Sequence, residues 1–203
     1  KQDSIFSQYL NSHIKRTQIP KVSYIESNKN APIAVHRSIQ GKTMDFEGQE
    51  DTLHYADLSE NQKEFLAKDL AIFFNELHQI PIDHQTIIPQ SNVKYFNKEK
   101  SGRYKELMQQ FGINIDDFEI GEKNEDLVCC HNDCHGGNMA FNAEKEHVLQ
   151  GIFDFGMCGI NNRSSDFVKL YQIDRELARL TIGEYNKMSP RKVDIKNVDK
   201  QYL

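Results

Sequence analysis

With 203 residues, the chain is long enough for one domain or two small lobes with a real core. Its 38% hydrophobic and 27% charged content is that of a polar globular protein, and no apolar run approaches the ~20 residues of a membrane span. A formal net charge of −5 without a dense basic stripe argues against nucleic acid as a partner.

The opening KQDSIFSQYLNSHIKR lacks the apolar stretch of a signal peptide. It begins at Lys1 and not at Met, so a cut or processed N-terminus is expected. Ile5, Phe6, Tyr9, Leu10 and Ile14 recur near the helical period, which predicts a helix over 3–16 that ends before Pro20. Val22–Ile25 and Ile33–Ile39 read as two short strands joined by the turn-like SNKNAP, with Gly41 after the second. Residues 42–58 are polar and irregular. Ser59 is placed to cap a helix with Gln62 as its capping-box partner. Phe65, Leu66, Leu70, Phe73, Phe74 and Leu77 mark the apolar face of that helix, which Pro81 stops. A loop over 83–98, a helix over Ser101–Phe111 and an acidic exposed run over 116–126 follow.

Leu127–Cys130 reads as a buried strand, Met139–Phe141 and His147–Phe153 as two more strands around a turn at Asn142–Lys145, and Asp166–Leu180 as a helix. From Ser189 the tail is charged and is expected to be poorly ordered. The order of elements indicates an α+β fold. The four cysteines carry no secreted-scaffold pattern, and free thiols in a reducing cytoplasm are expected.

The stretch CCHNDCHGGN, residues 129–138, gathers sulfur, imidazole, carboxylate and amide groups. As a metal centre it fits poorly. His131 and His135 have zinc spacing only on a helix, which Gly136 and Gly137 discourage, and no Glu follows His131. No second His/Cys cluster completes a structural site. A plain reading is a polar turn carrying an incidental aspartate. A phosphotransfer reading is more specific: His131-x-Asp133 with Asn138 five residues on has the spacing of a kinase catalytic loop, and Asp154-Phe155-Gly156 follows after the apolar Ile152-Phe153. A hydroxyl attacking a γ-phosphate needs a proton acceptor and an orienting group, which Asp133 can supply. Mg²⁺ takes oxygen ligands, which Asn138 and Asp154 offer.

At these residues the chain resembles the aminoglycoside phosphotransferase and choline kinase superfamily. The resemblance is strongest over LVCCHNDCHGGNMAF and LQGIFDFGMCGINNRSSDFVKL and extends from about residue 3 to about 188. It implies a protein-kinase-like fold, with a partial N-lobe over 1–41 and a mainly helical catalytic lobe over 42–203. Asp133 would be the catalytic base, Asn138 and Asp154 would hold Mg²⁺ and the ATP phosphates, and His131 and Asp166 would brace the loop. FFNELHQIPI resembles the long family helix that ends in Leu-His, and the backbone of His36, Arg37, Ser38 and Ile39 would meet adenine. The first helix would be the family's αC, with Asp3 nearest the position of its acid.

Nothing before Pro20 resembles the family's glycine-rich loop or lysine strand, and the C-terminal helices look short, so the chain is expected to be either a fragment of a kinase or a degenerate one. The expected activity is ATP- and Mg²⁺-dependent phosphorylation of a small-molecule hydroxyl in the cytoplasm. The acceptor is left open among aminoglycosides, choline or ethanolamine, and sugars. CHND and NNRSSD echo the choline branch, whereas DFG leans toward the aminoglycoside branch. A protein kinase is disfavoured, since only positions 155–165 separate Asp154 from Asp166 and no A-P-E signature follows. The alternative class is a non-catalytic, pseudokinase-like binding module. His78 reads as a structural helix-end residue, His135 as a loop-stabilising or phosphate-contacting one, and Cys134 and Cys158 as ordinary thiols.

Overall fold

A computed structural model describes residues 2–25, 33–44, 52–82 and 126–202. The loop expected over 83–98, the helix expected over 101–111, nearly all of the acidic run and the side chain of Asp3 lie outside the described residues. The described elements in chain order are α1 (Gln2–His13), β1 (Ser23–Ile25), β2 (Ile33–Val35), α2 (Glu60–His78), β3 (Leu127–Cys130), β4 (Met139–Phe141), β5 (Leu149–Ile152), β6 (Gly159–Asn162), α3 (Ser165–Leu170), α4 (Arg175–Met188) and α5 (Ile195–Tyr202). The fold is α+β, with small antiparallel sheets around a helical core.

Helix α2 organises that core. Its N-terminus carries the complete capping box: Ser59 Oγ accepts from Gln62 N, and Gln62 Oε1 accepts from Ser59 N at 3.1 Å. Gln62 Nε2 also donates to the carbonyls of Ala143 and Lys145 at 2.8 and 3.1 Å, which joins the cap to the β4–β5 turn. Leu66, Leu70, Phe73, Phe74 and Leu77 are fully buried, each worth ~1.5–3 kcal/mol of transfer free energy. They face Phe167 of α3 and Leu177, Ile182 and Tyr185 of α4. The Phe74 and Phe167 rings are 5.0 Å apart, and those of Phe167 and Tyr185 are 5.1 Å apart. Phe65 is only half-buried and packs on His147.

The strands form three antiparallel pairs: β1–β2, β4–β5 and β3–β6. In the last, Cys130 pairs with Gly159 and Leu127 with Asn162. Helix α1 buries Phe6 and Leu10 and leaves Ile5 exposed. Just beyond it, the backbone N–H groups of Lys15 and Arg16 donate to Glu76 Oε2 of α2 at 2.9 and 3.3 Å.

Several expectations need correction. Strand β2 stops at Val35, because the chain over 36–40 has left the β1 edge and runs onto the hairpin, where the Ile39 side chain lies against Gly151. The strand expected over 147–153 is confined to Leu149–Ile152, and β6 is a strand that composition does not announce. The helix expected over 166–180 is two helices. Asp174 is extended and caps α4 with its side chain, accepting from Glu176 N at 2.6 Å, and such local capping competes with continuing the helix. The tail is ordered: Asp194 Oδ1 accepts from Lys196 N at 2.9 Å at the start of α5, and Val193 and Val198 are buried. Its charges lie on the outer side of an amphipathic helix, which composition alone cannot distinguish from a solvated tail.

Replacing Ser59 by Ala removes the cap acceptor while leaving the apolar face of α2 intact. The expected loss is ~1 kcal/mol of unfolding free energy by urea titration with an unchanged m-value.

Candidate active site

The segment 131–138 leaves β3 at Cys130 and is turned at once by a buried carboxylate. Asp166, in the first turn of α3, is fully buried. Its Oδ1 accepts from Asn132 N at 2.7 Å, and its Oδ2 accepts from His131 N at 3.0 Å. His78 Nε2, at the end of α2, lies 3.1 Å from the same Oδ2. The other ring nitrogen of His78 meets Tyr185 Oη of α4 at 3.0 Å, and Arg163 donates to that hydroxyl oxygen from the other side. The hydroxyl proton is therefore directed to His78 Nδ1, and His78 donates Nε2–H to Asp166. Arg163 is itself paired with Asp126 at 3.0 Å.

This anchoring draws the loop through unusual backbone. Asn132 has φ 66° and Asp154 φ 59°, the non-glycine residues with positive φ among those described. Such conformations are disfavoured and persist where surrounding contacts determine them. The Asn132 side chain is held at both ends, donating to Met157 O at 3.0 Å and accepting from Asn161 Nδ2 at 2.7 Å.

His131 is buried. Its Nε2–H donates to Phe153 O at 3.0 Å, and its Nδ1 accepts from Asp133 N at 3.3 Å. Its ring packs on Phe155 of the DFG triplet, centroids 4.6 Å apart, with Phe73 behind both. Asn138 Nδ2 donates to Asp133 O at 2.8 Å and Oδ2 at 3.2 Å, while its backbone carbonyl accepts from Phe153 N at 2.9 Å. Asp133, Asn138 and Asp154 thus stand around His131, which feels the charge of both carboxylates. Asp133 is half-buried and Asp154 exposed, with Gly156 N donating to Asp154 Oδ1 at 3.4 Å. His135 Nδ1 accepts from Gly137 N at 3.1 Å, and Nε2 faces Asp133 Oδ2 at 3.8 Å. Gly136 is required by close approach: a Cβ there would lie 2.1 Å from Met44 O.

The sequence-predicted residues His131, Asp133, Asn138, Asp154 and Asp166 are brought together. His36, Arg37 and Ser38 lie in an exposed segment, and Ile39 is half-buried. That segment meets the hairpin through Ile39 against Gly151 and through the following residues, where Lys42 and Phe141 exchange backbone hydrogen bonds at 2.8 and 2.7 Å. Sequence reasoning missed Lys169, whose Nζ is 3.3 Å from Asp133 Oδ1, and the joining of His78 to Asp166. Lys169 is one turn from Asp166 on α3, a spacing that offered a signal; no periodicity could pair positions 78 and 166.

Four cysteines are free and buried. Among the described residues, the one group of possible metal ligands is His78, Cys130 and Asp166. It is a hydrogen-bonded cluster instead: burial pushes the Cys130 thiol well up, and Sγ faces the Asn162 carbonyl at 3.4 Å. For Mg²⁺, the donor chemistry fits elsewhere. Asn138 commits its Nδ2 to Asp133, which leaves its amide oxygen for a cation, and Asp154 is an exposed carboxylate.

Comparison with known proteins gives a family and a fold. A sequence profile described as the phosphotransferase enzyme family matches residues 6–189. The chain is similar in fold to the GDP complex of wild-type aminoglycoside 2'-phosphotransferase-IIIa, at 20% identity and a TM-score of 0.77, over 99% of this chain and 70% of that one. It is similar to the streptomycin–ATP–APH(2")-IIa ternary complex at 23% identity and a TM-score of 0.65, over 94% of this chain and 68% of that one. Macrolide 2'-phosphotransferase type I matches at 14% identity and a TM-score of 0.66, over 99% and 68%.

Burial pushes both His78 and His131 below the ordinary imidazole value of 6.5, against the opposing pull of Asp166. Below about pH 6.5 the unfolded chain takes up protons that the folded protein does not. Stability is therefore full above that pH and falls as pH drops from ~6.5 toward the depressed folded values. In urea titrations between about pH 7 and 5, His78→Gln is expected to reduce the slope of unfolding free energy by up to ~1.4 kcal/mol per pH unit. A wild-type slope of zero over that range would contradict neutral buried imidazoles.

Proposed function

The chain belongs to the phosphotransferase enzyme family, and from that premise we propose that it transfers the γ-phosphoryl group of ATP to a hydroxyl of a small molecule, with Asp133 as the base. The observation that carries this reading is the position of Asn138. Its side chain holds Asp133, and its backbone holds Phe153, the residue before Asp154. One residue, through its side-chain amide and its main-chain carbonyl, therefore ties together the two segments that carry Asp133 and Asp154. Similar folds are described with GDP and with ATP, so either nucleoside triphosphate is a candidate donor.

In this reading, Asn138 Oδ1 and Asp154 would hold Mg²⁺, which would supply neutralisation of phosphate charge. Asp133 accepts the proton of the acceptor hydroxyl as the new O–P bond forms and the bond to the nucleoside diphosphate breaks. The new product is a phosphate monoester, and the proton rests on the Asp133 carboxylate. His131 donates to Phe153 O and accepts from Asp133 N, so it fixes the separation of the two halves of the site and does not move a proton. Asp166 and His78 act through the loop backbone. Residues 1–41 are read as the edge of an N-lobe, with the 36–39 backbone on the adenine side, and 42–203 as the catalytic lobe.

The test is a coupled assay of nucleoside diphosphate release on the protein expressed from its natural start. It uses ATP or GTP against aminoglycosides, choline, ethanolamine and simple sugars. Asp133→Asn is expected to lower kcat by ~10³ while nucleotide affinity stays within about twofold. Asp154→Ala is expected to weaken Mg–nucleotide binding by calorimetry. Turnover that survives Asp133→Asn would remove the base assignment. Mg–nucleotide binding without turnover on any acceptor would favour a binding module.

A further inference from the structure

Asp133 has a cationic neighbour that the catalytic-loop spacing does not specify. Lys169 Nζ lies 3.3 Å from Asp133 Oδ1. The other carboxylate oxygen receives Asn138 Nδ2 at 3.2 Å and faces His135 Nε2 at 3.8 Å. Both oxygens are therefore engaged, by groups from the loop on one side and from α3 on the other. The Lys169 and Asp133 side chains are 27% and 30% exposed, so the pair stands at the mouth of the site and not in the core. Lys169 is one turn beyond Asp166, whose carboxylate fixes the backbone of His131 and Asn132. The same short helix that anchors the loop thus sets a cation against the loop's aspartate.

An ammonium at this place has two consequences. It removes rotational freedom from the carboxylate, because the carboxylate is held from both sides before any acceptor arrives. It also offsets the negative charge that an incoming cation would seek at Asp133. The other two carboxylates of the site, Asp166 and Asp154, have different surroundings. Asp166 is buried and accepts three donors, and Asp154 lies on the Phe155 side of His131.

Resting on the phosphotransfer reading, we infer that Lys169 is a positioning and specificity-determining residue. It holds Asp133 for the acceptor hydroxyl and disfavours polycationic acceptors relative to uncharged or anionic ones. An acceptor hydroxyl flanked by ammonium groups meets like charge at the base, whereas a sugar or hydroxy acid does not.

The experiment compares wild type, Lys169→Met, Lys169→Gln, Lys169→Arg and Asp133→Asn in the full-length protein, with thermal denaturation to verify folding. The acceptors are simple sugars, hydroxy acids and aminoglycosides. Lys169→Met and Lys169→Gln are expected to lower kcat on the best uncharged or anionic acceptor about tenfold with nucleotide KM unchanged. They are also expected to raise the ratio of kcat/KM for aminoglycoside over that acceptor by roughly threefold. Lys169→Arg restores most of both values, which a purely structural role in packing α3 would not do. If Asp133→Asn abolishes turnover while both neutral variants keep the wild-type kcat and acceptor ratio, the inference fails and the phosphotransfer reading stands. If wild type turns over no acceptor, the phosphotransfer reading itself fails, and the role of Lys169 with it.

Discussion

The Asp166 carboxylate is the interaction on which the rest of the site depends. It is fully buried and accepts two adjacent backbone N–H groups and one imidazole N–H. A charge taken out of water is tolerable only when its lone pairs are satisfied. Here the donors come from two separate stretches of chain, the end of α2 and the exit of β3, and they meet the carboxylate at the start of α3. Loss of any one leaves the others facing an uncompensated group. Burial thus makes the carboxylate demanding, and that demand fixes the loop.

The consequence is visible in the backbone. Asn132 adopts φ 66° directly after the two anchored N–H groups, and Asp154 adopts φ 59° at the end of the hairpin. Neither conformation is favoured locally. Asn132 is held on each side, by Met157 and Asn161, and Asp154 by the Gly156 N–H. The two strained residues flank His131, which meets Phe153 and packs on Phe155. Strain and aromatic packing together hold the two carboxylates, one on each half of the site, in a defined relation.

The N-terminal part joins this arrangement through backbone contacts as well as through buried side chains such as Phe6, Leu10 and Met44. Lys42 pairs with Phe141, Met44 N donates to Gly136 O at 3.2 Å, and Ile152 N donates to Gln18 O at 3.0 Å. Such contacts require close approach, which explains a glycine at 136 against Met44 and at 151 against Gln18. The helical core then needs only to hold α2 and α4 together, and the Tyr185–His78 hydrogen bond carries that packing into the site.

The residues that do local work were legible from the sequence. The Ser59–Gln62 cap, the apolar face of α2, the strand into the loop and the spacing of His131, Asp133, Asn138 and Asp154 all depend on near neighbours in the chain, and local geometry places them. Strand β6, the break at Asp174 and the ordered α5 were not legible, because each depends on a distant partner or on competition between a local cap and a continuing helix. Asp166 was identified by resemblance, yet the position of His78 beneath it and of Lys169 beside Asp133 came only with the tertiary structure. Those pairings span 88 residues in the first case and join two separate elements in the second. The sequence by itself determined which groups are available for phosphotransfer chemistry. Only the folded chain decided which of them touch, because burial of one carboxylate, satisfied by donors far apart in sequence, sets the loop on which the others stand.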